Sequence, residues 1–190
     1  MLLDTLTTTE TTTSTPPRPG LRARMAERRR LQRIDRLGAR LARLDGVAAL
    51  LQRAEARLEA GWTQDAWFVT REQGSLRHHV GTLRAEQGRE SEAVCLVAAV
   101  AVEAAPGSIT GPEAQRAIGA LWNVLHGGSA SADWATAPGV TAARAYDLVR
   151  WNDAPDRRRS DVVALLQASR ASVLRSASAV REELSTASAR

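Results

Sequence analysis

Between Ile34 and Leu58, apolar residues recur at spacings of three and four, and no other feature constrains the chain as strongly. Ile34, Leu37, Leu41, Leu44, Ala48, Leu51 and Leu58 form this seam, interrupted only at Glu55. Such a repeat places one side chain per turn on the same helical face, over roughly three and a half heptads. A helix of this kind must bury its seam, either on the rest of the chain or on a second copy. Arg28, Arg29, Arg30, Arg33, Arg36, Arg40 and Arg43 cover much of the remaining surface of its N-terminal half.

The charge is concentrated in the same place. The chain has 190 residues and a formal net charge of +5. Ten Arg and five acids fall within residues 1–46, whereas the remaining sixteen Arg are matched by sixteen acids. Every basic residue is Arg, a usage that fits the codon bias of a GC-rich genome. The organisation expected is a Thr- and Pro-rich disordered tail over residues 1–20, an Arg-rich amphipathic helical arm over 21–46, a compact helical domain over 47–184 and a frayed tail over 185–190.

Aromatics make up only 4% of the chain, so Ala, Leu and Val must fill the core, which suits helices better than sheets. The expected fold is all-α, a single domain with one small extended element. Gly61 ends the first helix, and Gly61–Thr70 is predicted to be extended, as half of a hairpin with residues near His78–Leu83. Ser91 is the expected cap of an apolar helix stopped by Pro106 and Gly107. Thr110 and Glu113 suggest a capping box for the next helix, which carries Ala114, Ala117, Ile118, Leu121 and Leu125 on one stripe. A short helix from Thr141 to Arg150 and a last one from Ser160 towards Leu184 complete the reading.

Several chemistries are disfavoured. No Gly-rich phosphate loop or strand–helix alternation is present. A single cysteine, Cys95, excludes an intrachain disulfide or a multi-cysteine zinc site. No cofactor, metal site or membrane span is expected. The N-terminus lacks the basic start and apolar run of a secretory signal, so the cytoplasm is the expected compartment. Cys95, with His126 or the His78–His79 pair as base, is the one nucleophilic arrangement to weigh. Its setting in an apolar run favours core packing. Asp65, Asp133 and Asp153 show no spacing that suggests a carboxylate site.

The stretch WNDAPDRRRSDVVALLQAS, from Trp151, is the most motif-like in the chain. Asn152, Asp153 and Pro155 suit a turn, Ser160 a helix cap and Trp151 a plug between helices. Arg157, Arg158 and Arg159 precede a helix start and invite an anion, although a solvated basic turn explains them more simply. Together with GWTQDAW at residues 61–67 and VCLVAAV around Cys95, this segment resembles an uncharacterised domain family of actinobacteria and their phages, over roughly residues 47–169. The chain departs from that pattern in having Ser160 where Thr is usual and Val94 where an aromatic precedes the cysteine. The resemblance implies fold and lineage, and no activity.

The expected function is a non-enzymatic interaction protein whose basic arm (Arg28, Arg29, Arg30, Arg33, Arg36, Arg40, Arg43), with Arg157, Arg158 and Arg159, engages nucleic acid or another polyanion. The arm helix has no Asn to read base edges, so binding would be phosphate-led and sequence-tolerant. It has no Trp or Phe to anchor it in a membrane surface. Two alternatives stand beside this: a self-assembling homo-oligomer using the seam of Ile34, Leu37, Leu41, Leu44, Leu51 and Leu58, and a small cysteine-dependent enzyme.

Overall fold

The computed structural model describes residues 20–80, 88–104, 109–128 and 138–189. In these residues the chain is mainly α-helical. A 40-residue helix α1 (Leu21–Ala60) is followed by strands β1 (Phe68–Glu72), β2 (Ser75–His79) and β3 (Ala93–Val94). Helices α2 (Leu96–Glu103), α3 (Pro112–Leu125), α4 (Pro138–Asn152) and α5 (Arg159–Ser188) complete it. Among the described residues, no helix is long and apolar enough to cross a membrane.

The seam of α1 is buried on its own chain. Leu44, Leu51 and Leu58 are fully enclosed and Leu37 nearly so, in a cluster that includes Val162, Leu166, Val173, Ala177 and Val180 of α5. Polar links along the rim fix the two helices as antiparallel. Arg181 meets Asp45 at 2.6 Å, Arg170 meets Gln52 at 2.9 Å and Gln167 meets Glu55 at 2.7 Å. At one end Arg159 donates to the Glu59 carbonyl, and at the other Arg30 donates to those of Ala187 and Ser188. Ser169, Ser172 and Ala177 are buried in α5. Small side chains let two helices approach closely where large ones would hold them apart, so the loss of Leu and Val beyond Ser169 does not end the seam.

These contacts bear on three expectations about organisation. The boundary after Gly46 falls inside α1, which passes through it without a break. Residues 185–188 are the last turn of α5 rather than a frayed tail. The seam of Leu37, Leu44, Leu51 and Leu58, with the partly buried Ile34 and Leu41, is already packed within one chain. The tail expected over residues 1–20 lies outside the described residues except for Gly20.

A second face of α1 carries Val47, Leu50 and Ala54, all buried in the same core as α2 and α3. From Leu96 to Val102 no residue of α2 is exposed, which is why that run is apolar on every side. Its start is later than the Ser91 cap predicts. Ala93 and Val94 pair with Val69 and Phe68 as the third strand of an antiparallel sheet in the order β2-β1-β3, and the helix begins after Cys95. An apolar run of this kind suits either a strand or a buried helix; pairing with β1 decides the matter. Gly61 makes the pairing possible. A Cβ there would collide with the Glu92 carbonyl, so the constraint is close approach rather than φ.

The hairpin turns at Gln73 and Gly74, inside the turn-like stretch REQGS, with φ values of 50° and 83°. Its second strand is Ser75–His79, earlier than the residues near His78–Leu83 that were expected. Two left-handed central residues are what a two-residue hairpin loop matched to strand twist requires. In α3 the cap is Gly111 and the Thr110–Glu113 box does not form, although Glu113 does lie in the first turn. Ser160 is not the cap of α5 either. It sits inside the first turn, while the Asp161 carboxylate accepts the Arg158 backbone N–H at 2.9 Å.

Candidate functional site

Three places hold the residues that the sequence singles out, and the structure separates them. The first is the corner at Trp151–Arg159. Helix α4 ends on Asn152, which is fully buried. Its Oδ1 accepts the Trp62 indole N–H at 2.8 Å and the Leu96 backbone N–H at 3.3 Å. Its Nδ2 donates to the Thr63 carbonyl at 3.1 Å and to Asp153 Oδ1 at 2.7 Å. The amide is thereby saturated, with two bonds accepted and two donated. Asp153 Oδ1 also takes the Asp65 N–H at 3.1 Å, and Gln64 donates to the Asn152 and Ala154 carbonyls. Asp65 has φ 57°, a left-handed conformation that Asp tolerates better than most residues. The two distant motifs, Trp62–Asp65 and Trp151–Asp153, are therefore one latch, joined to the start of α2.

Two of the three arginines of this corner are held by their side chains, and the third, Arg158, is exposed and takes part through its backbone. Arg157 lies over the Trp151 ring, 4.0 Å from its centroid, and donates to the Trp151 carbonyl at 3.1 Å. Arg159 holds the end of α1 through Glu59, and Arg158 is the cap residue of α5. This end of α5 is roughly 29 residues, hence about 44 Å, from its other end, where the basic half of α1 lies. The ten arginines proposed from sequence do not form one surface.

The second place is Cys95. Its side chain is buried and lines a cleft of about 140 Å3 beside Asp65, Trp67 and Asp153. Burial pushes the thiol up to about 12, outweighing the backbone N–H groups of the α2 start, and the nearby Asp153 charge adds to the rise. A thiol so protonated is a poor nucleophile at neutral pH. The histidines are engaged elsewhere. His79 stacks on Phe68 and meets Thr70 at 2.8 Å; His126 stacks on Trp122, 3.5 Å from Asp147. His78 and His79 pair with Val69 and Phe68 of β1, on opposite faces of the sheet. Among the described residues, no group of His, Cys, Asp and Glu could hold a metal ion, and Asp133 lies outside them.

The third place is the projecting end of the α1–α5 pair. Arg29, Arg33, Arg36, Arg40 and Arg43 follow one another at alternating spacings of four and three residues. The same spacing continues through Val47, Leu50 and Ala54, so the stripe that is core in the second half of α1 is arginine in the first. Arg29, Arg33, Arg36 and Arg43 are exposed, and Arg40 is partly buried. Arg33, Arg36, Arg40 and Arg43 line a shallow groove whose floor includes Leu37. Gly46 faces Glu113 of α3, and from Val47 onward this face of α1 is core.

From Leu21 to Gly46 nine Arg stand against Glu27, Asp35 and Asp45. The facing part of α5 is balanced, with Arg175 and Arg181 against Glu182 and Glu183. The sequence reading found the basic residues but missed their register. The signal was available: a four–three arginine spacing in phase with the apolar one that follows.

The chain belongs to a family of unknown function, the Family of unknown function (DUF6197), which matches residues 42–172. The match covers the latch, the sheet and most of the enclosed core, whereas Arg29, Arg33, Arg36 and Arg40 lie outside it, as do Leu37, Val173, Ala177 and Val180 of the core. No curated protein and no solved structure matches the chain.

Proposed function

We propose that the protein is a non-enzymatic, cytoplasmic interaction protein whose projecting α1–α5 end binds a polyanion, most simply nucleic acid, through phosphate contacts without sequence specificity. The observation that carries this reading is the arginine stripe. Like charges three and four residues apart on one helix repel, so a row of them disfavours the helix that presents it. Arg30 and Arg157 hold backbone carbonyls, but Arg29, Arg33 and Arg43 are exposed on the stripe without such a structural role. An anion bound along the row relieves the repulsion, and release of its counterions drives association.

The test removes charge by substitution, because cutting the chain at Gly46 would also remove Leu37 and Leu44 from the core. Arg33, Arg36 and Arg43 are changed to Gln, and a control changes the exposed Arg77, Arg89 and Arg150 of the body in the same way. Binding of labelled nucleic acid at low salt is expected to weaken at least about tenfold in the first variant and little in the control. Equal weakening would assign the binding to net charge alone and overturn the proposal.

A further inference from the structure

The last turn of α5 meets α1 at Arg30, whose guanidinium donates to the carbonyls of Ala187 and Ser188. Beyond that point no described element covers α1. Every residue from Leu21 to Arg29 is exposed, including Leu21 and Met25, and the segment carries Arg22, Arg24, Arg28 and Arg29 against the single acid Glu27. The tip thus has two parts of different width: a solitary helix about 14 Å long and then a helix pair.

The widths select among nucleic acids. A single helix is about 10–12 Å across, and the major groove of B-form DNA is about 12 Å wide. A helix pair is nearly twice as broad and can only lie over the backbone. The major groove of A-form RNA is too deep and narrow for such entry. Single strands are bound chiefly by stacking on aromatic side chains, and no aromatic residue precedes Trp62 or follows Trp151.

We infer that the ligand is B-form duplex DNA, entered in its major groove by Leu21–Arg29 while the Arg33, Arg36 and Arg43 row follows the adjacent phosphates. This inference rests on the polyanion reading above. Arg24 and Arg28, one turn apart on the same face, carry the donors that suit guanine O6 and N7 wherever a guanine falls beneath them, without selecting one site. Arg22 lies instead in the stripe with Arg29, Arg33, Arg36 and Arg43, which meet only charge.

The experiment titrates the full-length protein into a mixed-sequence duplex DNA, the duplex RNA of the same sequence, the single strand and heparin, over a range of salt. Guanine N7 methylation protection is read on the duplex DNA. Duplex DNA is expected to bind at least about tenfold more tightly than duplex RNA or single strand, with N7 protected inside the footprint. Changing Arg24 and Arg28 to Gln should abolish the protection. Changing Arg33, Arg36 and Arg43 to Gln should lower the slope of log K against log salt by about 2.7. Circular dichroism of both variants checks that the exposed substitutions leave the helices intact. Equal affinity for duplex RNA, or unprotected N7, overturns groove entry but leaves phosphate binding standing. Failure to bind any of the four, heparin included, overturns the polyanion reading itself.

Discussion

Asn152 uses both ends of its amide to join four segments: the end of α4, the Trp62–Asp65 strap, the start of α2 and Asp153. Its replacement by Ala would strand the buried Leu96 N–H together with the partly buried Trp62 indole N–H and Thr63 carbonyl. Each buried group left without a partner costs about 1–3 kcal/mol, so Asn152→Ala should lower unfolding stability by about 3 kcal/mol or more. Urea denaturation measures this directly, and a loss below about 1 kcal/mol would mean that the latch is not what holds the corner. Cys95, at the other side of that corner, ties stability to pH. Its thiol ionises near its ordinary value of 9.0 in the unfolded chain and only at about 12 in the folded one. Between those values the folded state holds the proton that the unfolded state has lost, so stability falls as pH rises through the interval. Cys95→Ala should remove that part of the decline, seen as a shrinking difference between the two proteins above about pH 9. Parallel curves would mean that the folded thiol ionises freely, and a cysteine nucleophile would again be worth considering.

At the scale of elements, what was legible depended on how local the cause was. The helical character of α1 follows from spacing alone, and the hairpin from Gln73–Gly74 and the β-prone residues before it. The partner of α1 was not legible, because α5 lies more than a hundred residues away and buries Ser169, Ser172 and Ala177 as readily as Val173. A seam judged by apolarity looks exhausted there; judged by side-chain size it continues. For the same reason the seam could be assigned either to a second copy or to the chain itself. The β3–α2 junction failed differently. Ala93 to Val102 is uniformly apolar, and only the Phe68–Val94 pairing and the close approach at Gly61 divide it into strand and helix. At the candidate site, the arginines were visible as composition, but their division into structural and free ones required knowing which carbonyls Arg30, Arg157 and Arg159 hold.

The whole molecule is a body and a projection that share one helix, and this division has a consequence for dynamics. In the body, α1 is enclosed on two faces, by α5 and by the α2–α3 layer, so its hydrogen bonds around Leu50–Ala54 break only when the core does. Past Gly46 one of those faces carries the exposed Arg43, Arg36, Arg33 and Arg29, and past Arg30, among the described residues, the other is lost as α5 ends. Local opening free energy should therefore fall along a single continuous helix in three steps, tracking the number of packed faces rather than any change in helix propensity. Hydrogen exchange under native conditions resolves this. Amides of Leu50–Ala54 and Leu96–Val102 should exchange only through global unfolding, those of Leu37–Leu44 sooner, and those of Met25–Arg29 within the fastest class. Saturation with a polyanion that uses the stripe should slow the two outer zones and leave the innermost unchanged. Uniform protection from Met25 to Ala54 in the free protein would show that the projection is packed by something other than α5, and the arginine row would then not be an open surface.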